Sequence, residues 1–155
     1  MHKVVHHEAR PERFYLENHG GLYRSDDWGD RWEDIVDGVP SDFGFAMAIH
    51  PADLETVYIL PLDGEGRRPV GVKLQVHRTQ DGGASWEGLG NGLPQEDAYE
   101  TTLRDGMDTD TLDPARIYFG TRSGKIYGSS DEGETWTLIK DGLPPVVCMK
   151  AAVLP

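Results

Sequence analysis

The chain has 155 residues, with 15 Lys and Arg against 27 Asp and Glu, a formal charge of −12. A surface this acidic repels a phosphate backbone and excludes nucleic acid as a partner. The one cysteine, Cys148, excludes an internal disulfide and a cysteine-rich metal site, and no apolar run approaches the roughly 18 residues of a membrane-crossing helix. The opening MHKVVHHEARPERF has no hydrophobic stretch of the secretion type, so a cytoplasmic location without membrane contact is expected. Nineteen Gly and ten Pro punctuate the chain closely, which suits many short strands better than helices.

In chain order, strands are expected at about 1–6, 13–18, 21–26 and 31–36. A second set is expected at about 44–50, 56–61, 73–79 and 85–89, and a third at 100–107, 116–121, 124–129 and 135–139. A tyrosine-bearing strand recurs in each set: Arg13-Phe14-Tyr15-Leu16, Thr56-Val57-Tyr58-Ile59 and Arg116-Ile117-Tyr118-Phe119. The tail at about 146–154 reads as a thirteenth strand, with Cys148 as a core thiol among Val146, Val147 and Met149. Pro61 to Val70 is an insertion in the second set, read first as a flexible, charged surface excursion and otherwise as a candidate for contact with a ligand or partner.

One octapeptide punctuates every set. Its copies run from Ser25 to Trp32, from Thr79 to Trp86 and from Ser129 to Trp136, and the tryptophans stand 54 and 50 residues apart. A period near 50 fits one four-stranded propeller blade. The key positions are Ser25, Asp27, Gly29 and Trp32; Thr79, Asp81, Gly83 and Trp86; and Ser129, Asp131, Gly133 and Trp136. A hydroxyl and a carboxylate at this spacing accept backbone N–H groups inside a tight turn, the glycine tolerates positive φ, and the tryptophan opens the outgoing strand. The first copy has Arg31 where Ser85 and Thr135 stand, so it is expected to lack one hydroxyl contact.

These residues spell S/T-x-D-x-G-x-T/S-W, so the chain resembles the Asp-box, or bacterial neuraminidase repeat, β-propellers. That superfamily includes sialidases, xyloglucan-cleaving glycosidases, sortilin-like ectodomains and photosystem assembly factors. The resemblance implies an all-β fold: a partial propeller of three four-stranded antiparallel blades plus one extra C-terminal strand. Blade one would occupy 1–40, blade two 41–95, blade three 96–145, and the extra inner strand 146–155. It also implies that the box aspartates are structural, lying on the blade periphery away from the channel.

Three blades do not close a ring of the usual four to eight. The expected partners are therefore missing blades, the chain being the C-terminal half of a longer propeller, or a second copy completing a six-bladed homodimeric ring. Chemistry in such a fold is sought at the channel mouth. There His2-Lys3, Phe45-Ala46, Arg104-Asp105 and Met149-Lys150 align as inner-strand positions, with Lys3, Asp105 and Lys150 facing the axis. Tyr99, Glu100 and Asp105 are the catalytic candidates, and His2, Lys3, His19, Arg104, Arg122 and Lys150 the ligand-binding ones. A sialidase-like mechanism would want a Tyr–Glu nucleophile, an acid and three arginines gripping a carboxylate, and the last set is incomplete here. Neither a metal nor a cofactor is expected: His6 and His7 point to opposite faces of a strand, and the 105–110 acidic run has its glycine misplaced for a calcium loop. The leading expectation is a module that binds a carbohydrate or protein ligand, or assembles, without catalysis. The alternative is part of a sialidase-like glycoside hydrolase acting through channel-mouth carboxylates.

Overall fold

The computed structural model describes residues 2–154, and its regular structure is almost wholly β. Blade one is β1 (Lys3–His7), β2 (Arg10–Asn18), β3 (Gly21–Ser25) and β4 (Glu33–Asp34), paired in that order. Blade two is β5 (Gly44–Ile49), β6 (Val57–Pro61), β7 (Val76–Thr79) and β8 (Glu87–Leu89). Blade three is β9 (Met107–Thr109), β10 (Ile117–Gly120), β11 (Ile126–Ser129) and β12 (Thr137–Lys140). Every pairing within the blades is antiparallel. The innermost strands pack side by side, β1 on β5 and β5 on β9.

Strand periodicity places the core. In β6 the residues Val57 and Ile59 join Tyr15, Leu22, Ile35 and Met47 in a cluster between blades one and two. The alternate residues Tyr58 and Leu60 turn the other way, into a cluster with Val76, Ile117, Phe119, Tyr127 and Trp136 between blades two and three. Blade two is thus covered on both faces, and β6 is buried throughout. At the open side of blade three, β12 is exposed throughout.

Each octapeptide folds as the composition demands. The hydroxyls of Ser25, Thr79 and Ser129 accept the amides of Gly29, Gly83 and Gly133 at 2.9, 2.8 and 2.8 Å. The carboxylates of Asp27, Asp81 and Asp131 accept the amides of Arg31, Ser85 and Thr135 at 2.8, 2.9 and 2.9 Å. Two residues take positive φ: Gly29, Gly83 and Gly133 at 90°, 98° and 98°, and before them Trp28, Gly82 and Glu132 at 65°, 71° and 57°. Ser85 and Thr135 also donate their hydroxyls to the second aspartate oxygen at 2.6 and 2.5 Å, and Arg31 makes no such contact.

The same parts join blade to blade. Arg24, just before the first box, donates to the Gly82 carbonyl of the second at 2.8 Å, and Arg78 donates to the Glu132 carbonyl of the third at 2.8 Å. Beside these clamps, Ile35 presses on Gly83 and Leu89 on Gly133, so closely that an added Cβ would lie 2.7 and 2.8 Å from the facing Cδ1.

Three local expectations are corrected. The inner strand of blade three begins at Met107 rather than near residue 100, because a turn in which the Gly106 amide donates to the Leu103 carbonyl at 2.8 Å interrupts the run. The tail runs parallel to this inner edge but, among the described residues, forms a single bridge to it at Asp105–Cys148 and no regular strand. Cys148, at that bridge, is exposed rather than a core thiol.

Candidate functional site

The Asn18–Gly21 turn, the Pro61–Val70 insertion, the 100–106 segment and the Thr121–Lys125 loop meet at one end of the molecule and enclose a cleft of about 370 Å³. His19, Phe45, Gly66, Arg67, Thr101, Leu103, Arg104 and Arg122 line it. The insertion is tied down. Asp63 accepts the amides of Glu65 and Gly66 at 2.9 and 3.2 Å, Leu62 bridges Pro69, and the Thr101 hydroxyl donates to the Arg67 carbonyl at 2.7 Å. The Arg122 amide donates to the Thr101 carbonyl at 2.8 Å, so Arg67 and Arg122 are both fastened to the segment that carries Arg104. The Arg104 guanidinium sits 5.2 Å above the Phe45 ring, a cation–π contact that holds it at the wall.

The charge of this cleft departs from that of the protein. Arg10, Arg13, Arg24, Arg68 and Arg78 are ion-paired, and Arg31 and Arg116 are exposed, each on a different part of the surface. Arg67, Arg104 and Arg122 are exposed and make no salt bridge among the described residues, and no carboxylate lines the cleft. Three unpaired guanidiniums converge on one opening in a chain of net charge −12.

Behind the cleft lies an aromatic wall. The ring of His2 stands 4.3 Å from that of His19 and 4.7 Å from that of Phe45, with Phe43 5.5 Å away. The His2 Nδ1–H donates to the Gly44 carbonyl at 2.7 Å, and burial holds its ring below the ordinary histidine range. Glu17 reaches the same glycine from blade one, where its Oε1 occupies the space a Gly44 side chain would need. Its carboxyl is 2 % exposed, its Oε2 has no partner among the described residues, and burial pushes its pKa up to about 8.

The remaining candidates lie apart from the cleft. Tyr99 is 64 % exposed. Glu100 is buried and accepts from Lys125 Nζ at 2.7 Å and from the Ser123 hydroxyl. Burial would push its carboxyl up, but the hydrogen bonds from Lys125, Ser123 and Thr121 together hold it below the ordinary range. Asp105 accepts from Lys3 Nζ at 2.6 Å, and this hydrogen bond and charge hold its carboxyl down. Lys150 stands 3.7 Å from Asp108. The structure therefore gathers His19, Arg104 and Arg122 at one site, with His2 behind it. It places Lys3, Asp105 and Lys150 along the inner strands, and it ties Glu100 and Asp105 to different cations. Among the described residues no three His, Cys, Asp or Glu side chains converge as a metal site would require. Sequence reasoning placed Phe45 on an inner strand and Arg67 in a candidate contact loop without singling either out as a site residue, and it missed Glu17. The paired arginines of the insertion were a signal for Arg67. A glutamate standing where blade two has Leu60 was a signal for Glu17.

Comparison with solved structures bears on the fold. The GH74 xyloglucanase from Xanthomonas campestris aligns with TM-score 0.67 and 23% identity, over 88% of this chain and 20% of its own. The GH74 enzyme of Niastella koreensis aligns with TM-score 0.70 and 18% identity, over 92% of this chain and 22% of its own. The fold is part of a β-propeller. YCF48 from Cyanidioschyzon merolae gives TM-score 0.58 and 16% identity, over 88% of this chain and 36% of its own, and YCF48 bound to a D1 peptide gives 0.53 and 17%, over 88% and 39%. The chain thus spans between a fifth and two-fifths of the length of these proteins. No protein-family model matches it, and no curated protein matches it.

Proposed function

We propose that this partial propeller is a non-catalytic binding module of the Asp-box type that holds an anionic group of a protein or carbohydrate ligand between Arg67, Arg104 and Arg122. One observation carries the reading: three unpaired guanidiniums line a carboxylate-free cleft in an acidic protein. Planar guanidiniums grip carboxylates in paired hydrogen bonds, and the exposed His19 ring offers a face to the rest of a ligand. A glycosidase needs two carboxyl groups flanking the bond it cleaves. Here Glu100 is spent on Lys125 and Ser123, and Asp105 on Lys3. The YCF48 structure with a D1 peptide is the precedent for a peptide on this fold, and at such low identity the precedent is one of architecture.

The test compares an acidic peptide with a free C-terminal carboxylate against its amide, and sialyllactose against lactose, by titration calorimetry. The carboxylated member of one pair should bind more tightly, and Arg104→Ala or Arg122→Ala should each weaken it by about tenfold, the loss of roughly one charge-assisted contact. Binding should also weaken steeply with salt. Turnover of a fluorogenic sialoside that Glu100→Gln or Asp105→Asn abolishes would establish the hydrolase reading instead.

A further inference from the structure

The two internal blade junctions share one pattern, and blade three presents half of it to solvent. At each junction a tyrosine of the second strand, Tyr15 or Tyr58, is wholly buried, and an apolar knob, Ile35 or Leu89, is 5 % and 7 % exposed against the next box glycine. In blade three the bulge in β12 turns Ile139 onto the face of Gly128 and Tyr118, as its approach to an added Gly128 Cβ at 2.5 Å shows. Ile139 is 55 % exposed, and a hollow of about 220 Å³ opens between it, Tyr118 and Thr137. The arginine of the clamp is gone, for Gly128 stands where Arg24 and Arg78 stand in the other blades.

The tail occupies the matching inner position. The Met149 amide donates to the Asp105 carbonyl at 2.7 Å, the Val146 amide to the Thr121 carbonyl at 3.0 Å, and the Ala151 amide to Asp108 Oδ2 at 2.9 Å. It therefore lies against blade three where the inner strand of a following blade belongs, in parallel register and with no bridge on its outer edge among the described residues. By sequence, Met149-Lys150 corresponds to His2-Lys3 at the start of blade one.

We infer that the Ile139 face and the tail form one socket, which receives a segment bringing three outer strands and a box glycine. The tail serves as the innermost strand of that fourth blade. The knob supplies the apolar contact that Ile35 and Leu89 make internally, continuing an interface the chain already uses twice. A second copy of this chain fits less well, because its own β1 would compete with the tail for the same edge. The absent arginine means that the incoming box needs no acidic partner at the clamp position. This inference stands independently of the ligand cleft.

The probe is the chain's own blade one. Residues 9–40, appended directly after residue 155, carry three outer strands and the open box glycine Gly29 at the spacing blade one uses after His7. A Cβ at Gly29 would meet only Trp32 of its own turn, so this glycine is free to accept a knob. If the socket is real, trypsin should cut the appended segment no faster than the body of the protein, and the melting temperature should rise. Ile139→Asp should speed cleavage of that segment by roughly tenfold through loss of its docking. The same substitution should leave the unextended chain's melting temperature nearly unchanged, because Ile139 is exposed there. Equal, rapid loss of the segment with Ile139 or with Ile139→Asp would overturn the proposal. So would a stable dimer of the unextended chain that Ile139→Asp dissolves, since a second copy would then own the face.

Discussion

At the residue scale, the most unusual group is Glu17, a carboxyl 2 % exposed beside the His2 ring and the Gly44 backbone. Burial raises its pKa from 4.5 to about 8, so the folded protein keeps a proton that the unfolded chain releases. Its contribution to stability is fully present below pH 4.5 and is lost as pH rises toward 8. Urea unfolding between pH 5 and 8.5 should therefore show a decline that Glu17→Gln flattens, with the variant more stable than the parent at pH 8. An unchanged pH profile in Glu17→Gln would mean that the carboxyl is not the source. The box aspartates offer a second test. Asp131 accepts the Thr135 amide and the hydroxyls of Ser129 and Thr135, so Asp131→Ala should cost about 2 kcal/mol, while Arg31→Thr should be slightly stabilising by restoring a hydroxyl to Asp27. Chemical denaturation of both variants measures this.

At the scale of elements, the junctions between blades combine an ion clamp with an apolar knob. Arg78 is 6 % exposed and reaches Glu87 at 2.5 Å, Glu134 at 2.6 Å and the Glu132 carbonyl at 2.8 Å. Both glutamates are half-exposed, so their Coulomb attraction is screened, and the buried guanidinium's hydrogen bonds matter more. Arg78→Ala should cost about 2 kcal/mol, chiefly by leaving the Glu132 carbonyl and the packing around it unsupported. The knobs can be separated from backbone strain. Gly29→Ala and Gly133→Ala both force alanine to positive φ, near 90° and 98°, but only the second also strikes Leu89. Gly133→Ala should therefore be the worse by about 1–2 kcal/mol, the cost of overpacking. Equal losses would show that the knob contributes nothing.

At the scale of the whole molecule, blade two contributes to the apolar clusters on both sides, whereas blades one and three each keep one open face. Native-state hydrogen exchange should therefore show the slowest amides in β6 and β7 and the fastest in β4 and β12. Uniform protection across the three blades would contradict this ordering.

The sequence by itself determined the turns, the blade count and the order of strands. Those features depend on local chemistry: a hydroxyl, a carboxylate and a glycine at fixed spacing can close only one kind of turn, and strand alternation follows from a period of two. The three octapeptides thus announced three blades, and the missing hydroxyl at Arg31 was legible as well. Tertiary structure alone decided what long-range packing sets. It interrupted the expected 100–107 strand with the turn at Gly106, exposed Cys148, and tied Glu100 to Lys125 and Asp105 to Lys3. It also brought Arg67 from the insertion beside Arg104 and Arg122, residues 37 and 55 positions further along. No local pattern encodes such a meeting, because it depends on how three loops from two blades converge at one end of the fold.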